Sequence, residues 1–179
     1  AYKQLTNKSF DTVIVMGPSH YGAFDGISIL SKGEYVTPLG KVKIDEEMAA
    51  KLAGESNKIV YVRSLWQKEH SVDVQVPFLQ KTMNNFKIVP LIFGDQTIEN
   101  CSKLAEAIIK SIGKKRVLLV ASTDLSHDHT SEVSATMDAA AIDAIAQGDA
   151  RLLAERLSTG ECEMCGYGPV VTAMLVADR

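Results

Sequence analysis

Five side chains suited to metal or acid–base chemistry stand at separate points of the 179-residue chain: His20, His70, Asp124, His127 and Cys165. Each lies at or near a junction where a predicted strand ends in a loop or a loop leads into a helix. Imidazole, carboxylate and thiolate groups bind metal ions or transfer protons, and they must converge from separate supports to form one site. The pattern therefore indicates a mononuclear metal site or a general acid–base site.

The stretch 117–129 carries two of these residues. It begins with five apolar residues, Val-Leu-Leu-Val-Ala, and then changes to hydroxyls, carboxylates and imidazoles. A short apolar run predicts a strand buried on both faces, and ligands in open α/β sheets collect beyond the carboxyl ends of such strands. Asp124 and His127 are therefore expected to face an active-site crevice. A polar surface turn after a core strand explains this stretch equally well.

His20 and Cys165 occupy similar junctions. His20 follows a predicted strand at 11–16, and glycines on either side let the backbone bend closely around whatever its imidazole touches. Cys165 precedes a helix predicted to begin at Pro169, where the helix dipole stabilises a thiolate. Cys165 is thus a candidate soft metal ligand or reactive thiol.

His70 stands directly after a carboxylate, Glu69. This carboxylate could hold the imidazole of His70 in one tautomer, which is useful for proton transfer, or it could point into water. The local sequence leaves both interpretations open.

Motifs of other enzyme classes are weak or absent. Cys162-x-x-Cys165 could be a redox pair or half of a zinc site, but a zinc ribbon needs a second pair, which Cys101 alone cannot supply. Ser122 and Ser126 lie in no Gly-x-Ser-x-Gly elbow, and the chain has no phosphate-binding loop of the Gly-x-x-x-x-Gly-Lys type.

The elements that must position these groups alternate between strands and helices. Apolar runs and turn residues predict strands at 11–16, 27–30, 34–36, 41–44, 58–63, 86–93 and 116–121. Helical spacing and capping residues predict helices at 46–56, 98–112, 130–147, 150–159 and from 169 onward.

Two segments carry alternatives. Pro90 cannot donate to a sheet ladder, so its strand is expected near an edge or bulged. The spacing in 72–78 fits either a strand or a helix. The strand at 86–93, the following helix and the strand at 116–121 form a βαβ unit. We therefore expect a three-layer α/β/α sandwich around a mixed sheet, with residues 1–179 in one domain.

Composition narrows the class of protein further. The net charge of −3 comes without a basic stripe, which argues against nucleic-acid or membrane-surface binding. No apolar run approaches the roughly 20 residues that cross a bilayer. Three cysteines do not make a disulfide framework, so a cytoplasmic protein is expected.

The chain resembles the Memo family, whose microbial members are called AmmeMemoRadiSam system protein B. The family is similar in fold to the class III extradiol, or non-haem iron, dioxygenases. The resemblance covers essentially the whole chain and rests on six ordered motifs: Gly17-Pro18-Ser19-His20, the hairpin Tyr35-Val36-Thr37-Pro38-Leu39 ending in Ile44-Asp45, Glu69-His70-Ser71 with Val76-Pro77-Phe78, Ile88-Val89-Pro90-Leu91, Ser122-Thr123-Asp124-Leu125-Ser126-His127, and Cys165-Gly166.

The resemblance implies that His20 and Cys165 are metal ligands and that His70, Asp124 and His127 line the same pocket. A thiolate in place of the dioxygenase carboxylate shifts preference towards softer ions, so iron or copper is expected, with zinc as a further option. Family members also carry an Ala-Pro-His-Ala-Gly-Tyr motif whose histidine completes the ligand set. This chain lacks that motif and the family's final strands, so we expect its domain to be incomplete at both ends.

Two functions follow from this resemblance. The first is a metal-dependent redox protein of dioxygenase-like ancestry that acts on a small molecule. The second is a non-catalytic protein that uses the same pocket to bind a peptide or phospho-peptide. The residues assign neither a substrate nor an oligomeric state.

Overall fold

The computed structural model describes residues 1–179 as an α/β fold. Its strands are β1 (Thr12–Pro18), β2 (Ile27–Ile29), β3 (Glu34–Thr37), β4 (Gly40–Lys43), β5 (Ile59–Val60), β6 (Lys87–Phe93) and β7 (Val117–Ala121). Its α-helices are α1 (Glu46–Glu55), α2 (Val76–Thr82), α3 (Ile98–Ile112), α4 (Ser131–Gln147), α5 (Ala150–Thr159) and α6 (Tyr167–Ala177), and 3-10 helices span Tyr2–Leu5 and Leu65–Gln67. No helix is long and apolar enough to cross a membrane.

Five strands form a mixed sheet in the order β5-β2-β6-β1-β7. β6, β1 and β7 run parallel, whereas β2 pairs antiparallel with β6 and parallel with β5. β3 and β4 form the predicted hairpin as a separate two-stranded sheet. All seven residues of β1 are buried, because this strand lies inside the sheet with both faces covered.

Helices surround this sheet and confirm the α/β/α prediction. α3 packs against both α1 and α6, and α6 also contacts β1 and β7. α5 packs between α4 and α6, whereas α2 packs against the 3-10 helix at the start of the chain. The largest helix–helix contact joins α3 to α6, the helix that begins just after Cys165.

Side-chain caps begin three of the predicted helices. The side chains of Asp45, Thr97 and Asp149 each accept a hydrogen bond from a first-turn amide of α1, α3 and α5. Asp45 also accepts hydrogen bonds from the Lys115 ammonium and the Thr12 hydroxyl. Burial disfavours the Asp45 carboxylate, but its hydrogen bonds to Lys115 and Thr12 prevail and lower its pKa.

The prediction that Pro90 marks an edge or a bulge is wrong, because β6 lies inside the sheet between β2 and β1. The last β2 residue paired with β6 is Ile29, opposite Leu91. The amide of Leu30 then donates to the carbonyl oxygen of Pro90. In an antiparallel pair the nitrogen and the carbonyl of one residue face the same neighbouring strand, so the nitrogen of Pro90 faces the β2 side, one residue beyond the paired part of β2. The missing N–H therefore costs the sheet no hydrogen bond between paired residues.

Three local predictions also need correction. β7 is an edge strand with half-buried residues, not a strand buried on both faces, since only β1 pairs with it. In 72–78 neither alternative holds throughout, because a turn precedes α2, which begins at Val76. α6 begins at Tyr167, two residues before Pro169.

Candidate functional site

The loops that carry His20 and Asp124 leave the sheet side by side. β1 and β7 are parallel neighbours, so their carboxyl ends lie at the same edge. Pairing continues past the end of β7, where the amide of Ser122 donates to the carbonyl of Met16 at 2.8 Å. This is the edge at which ligands bind in open α/β sheets.

A buried carboxylate holds His20 in place. Nδ1 of His20 lies 2.9 Å from Oε1 of Glu69, and the backbone amide of His20 donates to Oε2 at 2.6 Å. The Glu69 side chain is fully buried, whereas 36% of the His20 side chain is exposed. Nε2 of His20 makes no hydrogen bond within the chain, so it is free to bind a ligand.

Glu69 receives four hydrogen bonds in all. Besides the two from His20, the backbone amides of His70 and Ser71 each donate to Oε1 at 2.9 Å. Burial opposes the ionised form, but the hydrogen bonds from His20 and Ser71 prevail and lower the pKa of Glu69 to about 2. The sequence suggested that Glu69 either serves His70 or points into water. Instead its carboxylate hydrogen-bonds His20, while Nδ1 of His70 is 3.7 Å away.

His70 stacks on His20 and remains open to solvent. The two ring centroids are 4.9 Å apart with 24° between the planes, and Tyr21 meets the edge of the His70 ring at 6.1 Å. Slightly more than half of the His70 side chain is exposed. One ligand atom from each of His20, Glu69 and His70 lies within 4.8 Å of the others, and Cys165 is outside this group.

Cys165 is fastened to the loop that follows β7. Its Sγ accepts a hydrogen bond from the amide of Asp124 at 3.1 Å, and its own amide donates to the carbonyl of Asp124 at 3.2 Å. The amide of Gly166 donates to Oγ1 of Thr123 at 2.9 Å. Gly166 is also the N-cap of α6, so Cys165 sits at the positive end of that helix.

The contacts between Cys165 and the loop after β7 depend on two residues that the sequence did not single out for chemistry, Gly166 and Gln96. A Cβ at Gly166 would overlap the carbonyl oxygen of Ser122, so only glycine permits this approach. Gln96 donates to the carbonyl of Cys165 and accepts from the amide of Gly168, both at 2.8 Å. No sequence signal marks Gln96, and although Glu69 was noticed beside His70, nothing in the sequence indicates its contact with His20.

Asp124 and His127 form an exposed pair. Oδ2 of Asp124 lies 3.8 Å from Nε2 of His127, and the side chains are 82% and 51% exposed. Asp138 on α4 steadies their loop by accepting hydrogen bonds from the amide and hydroxyl of Ser126 at 3.0 and 2.8 Å. The structure thus joins Asp124 to both His127 and Cys165, and separately joins His20 to His70.

Taken one at a time, His20 and Cys165 each have the donor chemistry of a metal ligand. His20 has an unpaired ring nitrogen and a carboxylate on the other one, an arrangement typical of metal-binding histidines. Cys165 offers a half-buried thiol with an amide directed at its sulfur. Glu69 does not fit as a ligand, because its buried oxygens already accept four hydrogen bonds.

Comparison with known proteins assigns the family. The model of the Memo family, described as Memo-like protein, matches residues 1–179. A MEMO1 family protein of Methanobrevibacter smithii is 39% identical over 180 residues, which are 99% of this chain and 64% of that protein. A MEMO1 family protein of Saccharolobus solfataricus is 40% identical over 173 residues, or 94% and 61% of the two chains. The chain spans less than two thirds of these relatives. On this evidence it belongs to the Memo family.

Proposed function

We propose that this chain carries the metal-binding side of a dioxygenase-like, metal-dependent redox site, with His20 and Cys165 as ligands. One observation carries the proposal: Glu69 occupies Nδ1 of His20 and leaves Nε2 unpartnered at the carboxyl edge of the sheet. Cys165 is anchored beside Asp124 at the end of the neighbouring strand β7. Bound iron or copper supplies one-electron redox chemistry, whereas zinc supplies Lewis acidity alone.

The remaining candidate residues are assigned to proton transfer and to orienting the groups that take part in it. His70 lies over the ring of His20 and is exposed, so it can exchange a proton with a molecule bound near Nε2 of His20. His127 is the second candidate for this role, and Asp124, whose Oδ2 lies 3.8 Å from Nε2 of His127, is the candidate for orienting an imidazole or binding a ligand. Because these three side chains face solvent, they act on whatever small molecule enters the open edge.

Metal analysis of anaerobically purified protein tests the ligand assignment. The wild type should retain iron, copper or zinc at near-stoichiometric level, and His20→Ala should lower that content. Cobalt(II) loading should produce thiolate-to-metal charge-transfer absorption that Cys165→Ala abolishes. Cys162→Ala is the matched control, because Cys162 is a buried core thiol three residues away and should leave the absorption intact. Unchanged metal uptake by His20→Ala would overturn the proposal.

A binding protein for a peptide or phospho-peptide is the second proposal for the same pocket. The exposure of Asp124 and His127 favours it, because both side chains are free to contact a partner. Binding of a phospho-peptide library by the metal-free protein should then weaken in His70→Ala and Asp124→Ala. Indifference of binding to both substitutions would exclude this use of the pocket.

A further inference from the structure

We propose that Glu69 is a positioning residue that holds His20 as the Nδ1–H tautomer and so keeps Nε2 available as the ligand atom. The inference rests on the proposed function only in taking His20 as a metal ligand. It concerns a contact between residues 49 positions apart, which the local sequence around either residue does not indicate.

The hydrogen bonds around Glu69 determine which ring nitrogen of His20 carries the proton. An ionised carboxylate can only accept, and three of the four donors to Glu69 are backbone amides, which can only donate. The fourth contact, 2.9 Å to Nδ1 of His20, must therefore also be supplied by an N–H. In a neutral ring a proton on Nδ1 leaves the lone pair on Nε2.

The same carboxylate also fixes where the ring points. Its Oε2 accepts from the backbone amide of His20 while Oε1 accepts from the ring, so both ends of the residue are tied to one buried group. Oε1 further accepts from the amides of His70 and Ser71, which bind it to the loop that precedes α2. The His20 side chain thus has its orientation set before any ligand arrives.

The tautomer can be read directly from the metal-free wild type. Long-range ¹H–¹⁵N correlation spectra of ¹⁵N-histidine-labelled protein, at a pH where the rings are neutral, distinguish the protonated from the unprotonated nitrogen. We expect His20 to be protonated on Nδ1, assigned by the loss of its signals in His20→Ala. An Nε2–H form of His20 would overturn the inference without any reference to metal binding.

Glu69→Gln tests the consequence for metal binding. A glutamine keeps one accepting oxygen where Glu69 has two, so its NH2 group must face at least one backbone N–H and the hold on the Nδ1–H ring of His20 weakens. The affinity for cobalt(II) should then fall about 10–100-fold. The matched control is Glu47→Gln, which makes the same change at an exposed glutamate paired with Lys51 and should leave affinity unchanged.

A double mutant separates positioning from general stability. If Glu69 acts through His20, Glu69→Gln should weaken cobalt(II) binding far less in a His20→Ala background than in the wild type. Equal loss in both backgrounds would overturn the inference. Failure of the wild type to bind cobalt(II) would refute the proposed metal site instead, while the tautomer measurement would still decide the role of Glu69.

Discussion

Replacing Gly166 with alanine should destabilise the protein by forcing apart the two segments that hold Cys165. The added Cβ would overlap the carbonyl oxygen of Ser122 and lie 2.9 Å from the Cβ of Thr123. These atoms belong to the backbone or are attached directly to it, so no rotamer change relieves the overlap. The φ angle of Gly166 is −106°, which any residue adopts, so steric overlap is the only penalty.

Overpacking of this kind costs about 1–3 kcal/mol. We expect about 2–3 kcal/mol, because separation also weakens the hydrogen bond between Gly166 and Thr123. In a domain of this size each kcal/mol lowers the melting temperature by about 2–4 °C, so a fall of about 4–12 °C is predicted.

Thermal unfolding followed by circular dichroism measures this loss. Gly54→Ala is the matched control, since nothing lies within 4 Å of its added Cβ and helix α1 should gain up to about 1 kcal/mol. If Gly166→Ala melts within about 1 °C of the wild type while Gly54→Ala behaves as expected, the close approach at Gly166 does not exist.

Two further substitutions probe other contacts. Gly17→Ala places a Cβ 2.6 Å from the Cβ of Ser71 and should lower the free energy of unfolding, measured in urea, by about 1–3 kcal/mol. In a Ser71→Gly background the same substitution should cost much less, and equal losses in the wild-type and Ser71→Gly backgrounds would contradict the contact. Asp45→Asn removes the charge partner of Lys115 and should cost about 1–3 kcal/mol at neutral pH. Because folding lowers the pKa of Asp45, the stabilisation that its carboxylate provides is present above about pH 4 and is lost as the pH falls through the pKa of the folded state. The free energy of unfolding, measured in urea between neutral pH and about pH 2.5, should therefore depend less steeply on pH in Asp45→Asn than in the wild type. Identical slopes would refute this.

Helices and strands whose signals lie within a few neighbouring residues could be predicted from the sequence. β1 and β6 are uninterrupted apolar runs, and α3 begins after a Thr97 cap with its apolar residues on one stripe. Cys101 on that stripe is fully buried, and burial raises its pKa to about 11, as a core thiol requires. Such features depend on residues within a few positions of one another.

Features set by distant neighbours were missed or mistaken. The apolar run of β7 predicts that its residues are shielded from water, but it does not predict whether the strand lies inside the sheet or at its edge. Pro90 signals a missing donor, yet its place one residue beyond the paired part of β2 depends on a strand about 60 residues earlier. The sequence left Glu69 either serving its neighbour His70 or pointing into water, because its partner in the structure, His20, becomes adjacent only after folding.

The hydrogen bonds between Asp124 and Cys165 close a loop of 41 residues that contains the whole of α4 and α5. The chain leaves the site and returns to the same point, and α4 contacts the site through Asp138, well before the helix ends at Gln147. The connection of α4 to α5 at Gly148 is an exposed left-handed turn. Lengthening such a closed loop is inexpensive, about 0.6 kcal/mol for each doubling. The turn is therefore a natural insertion point, where a fluorescent reporter domain can be grafted while the ligand-bearing segments keep their register.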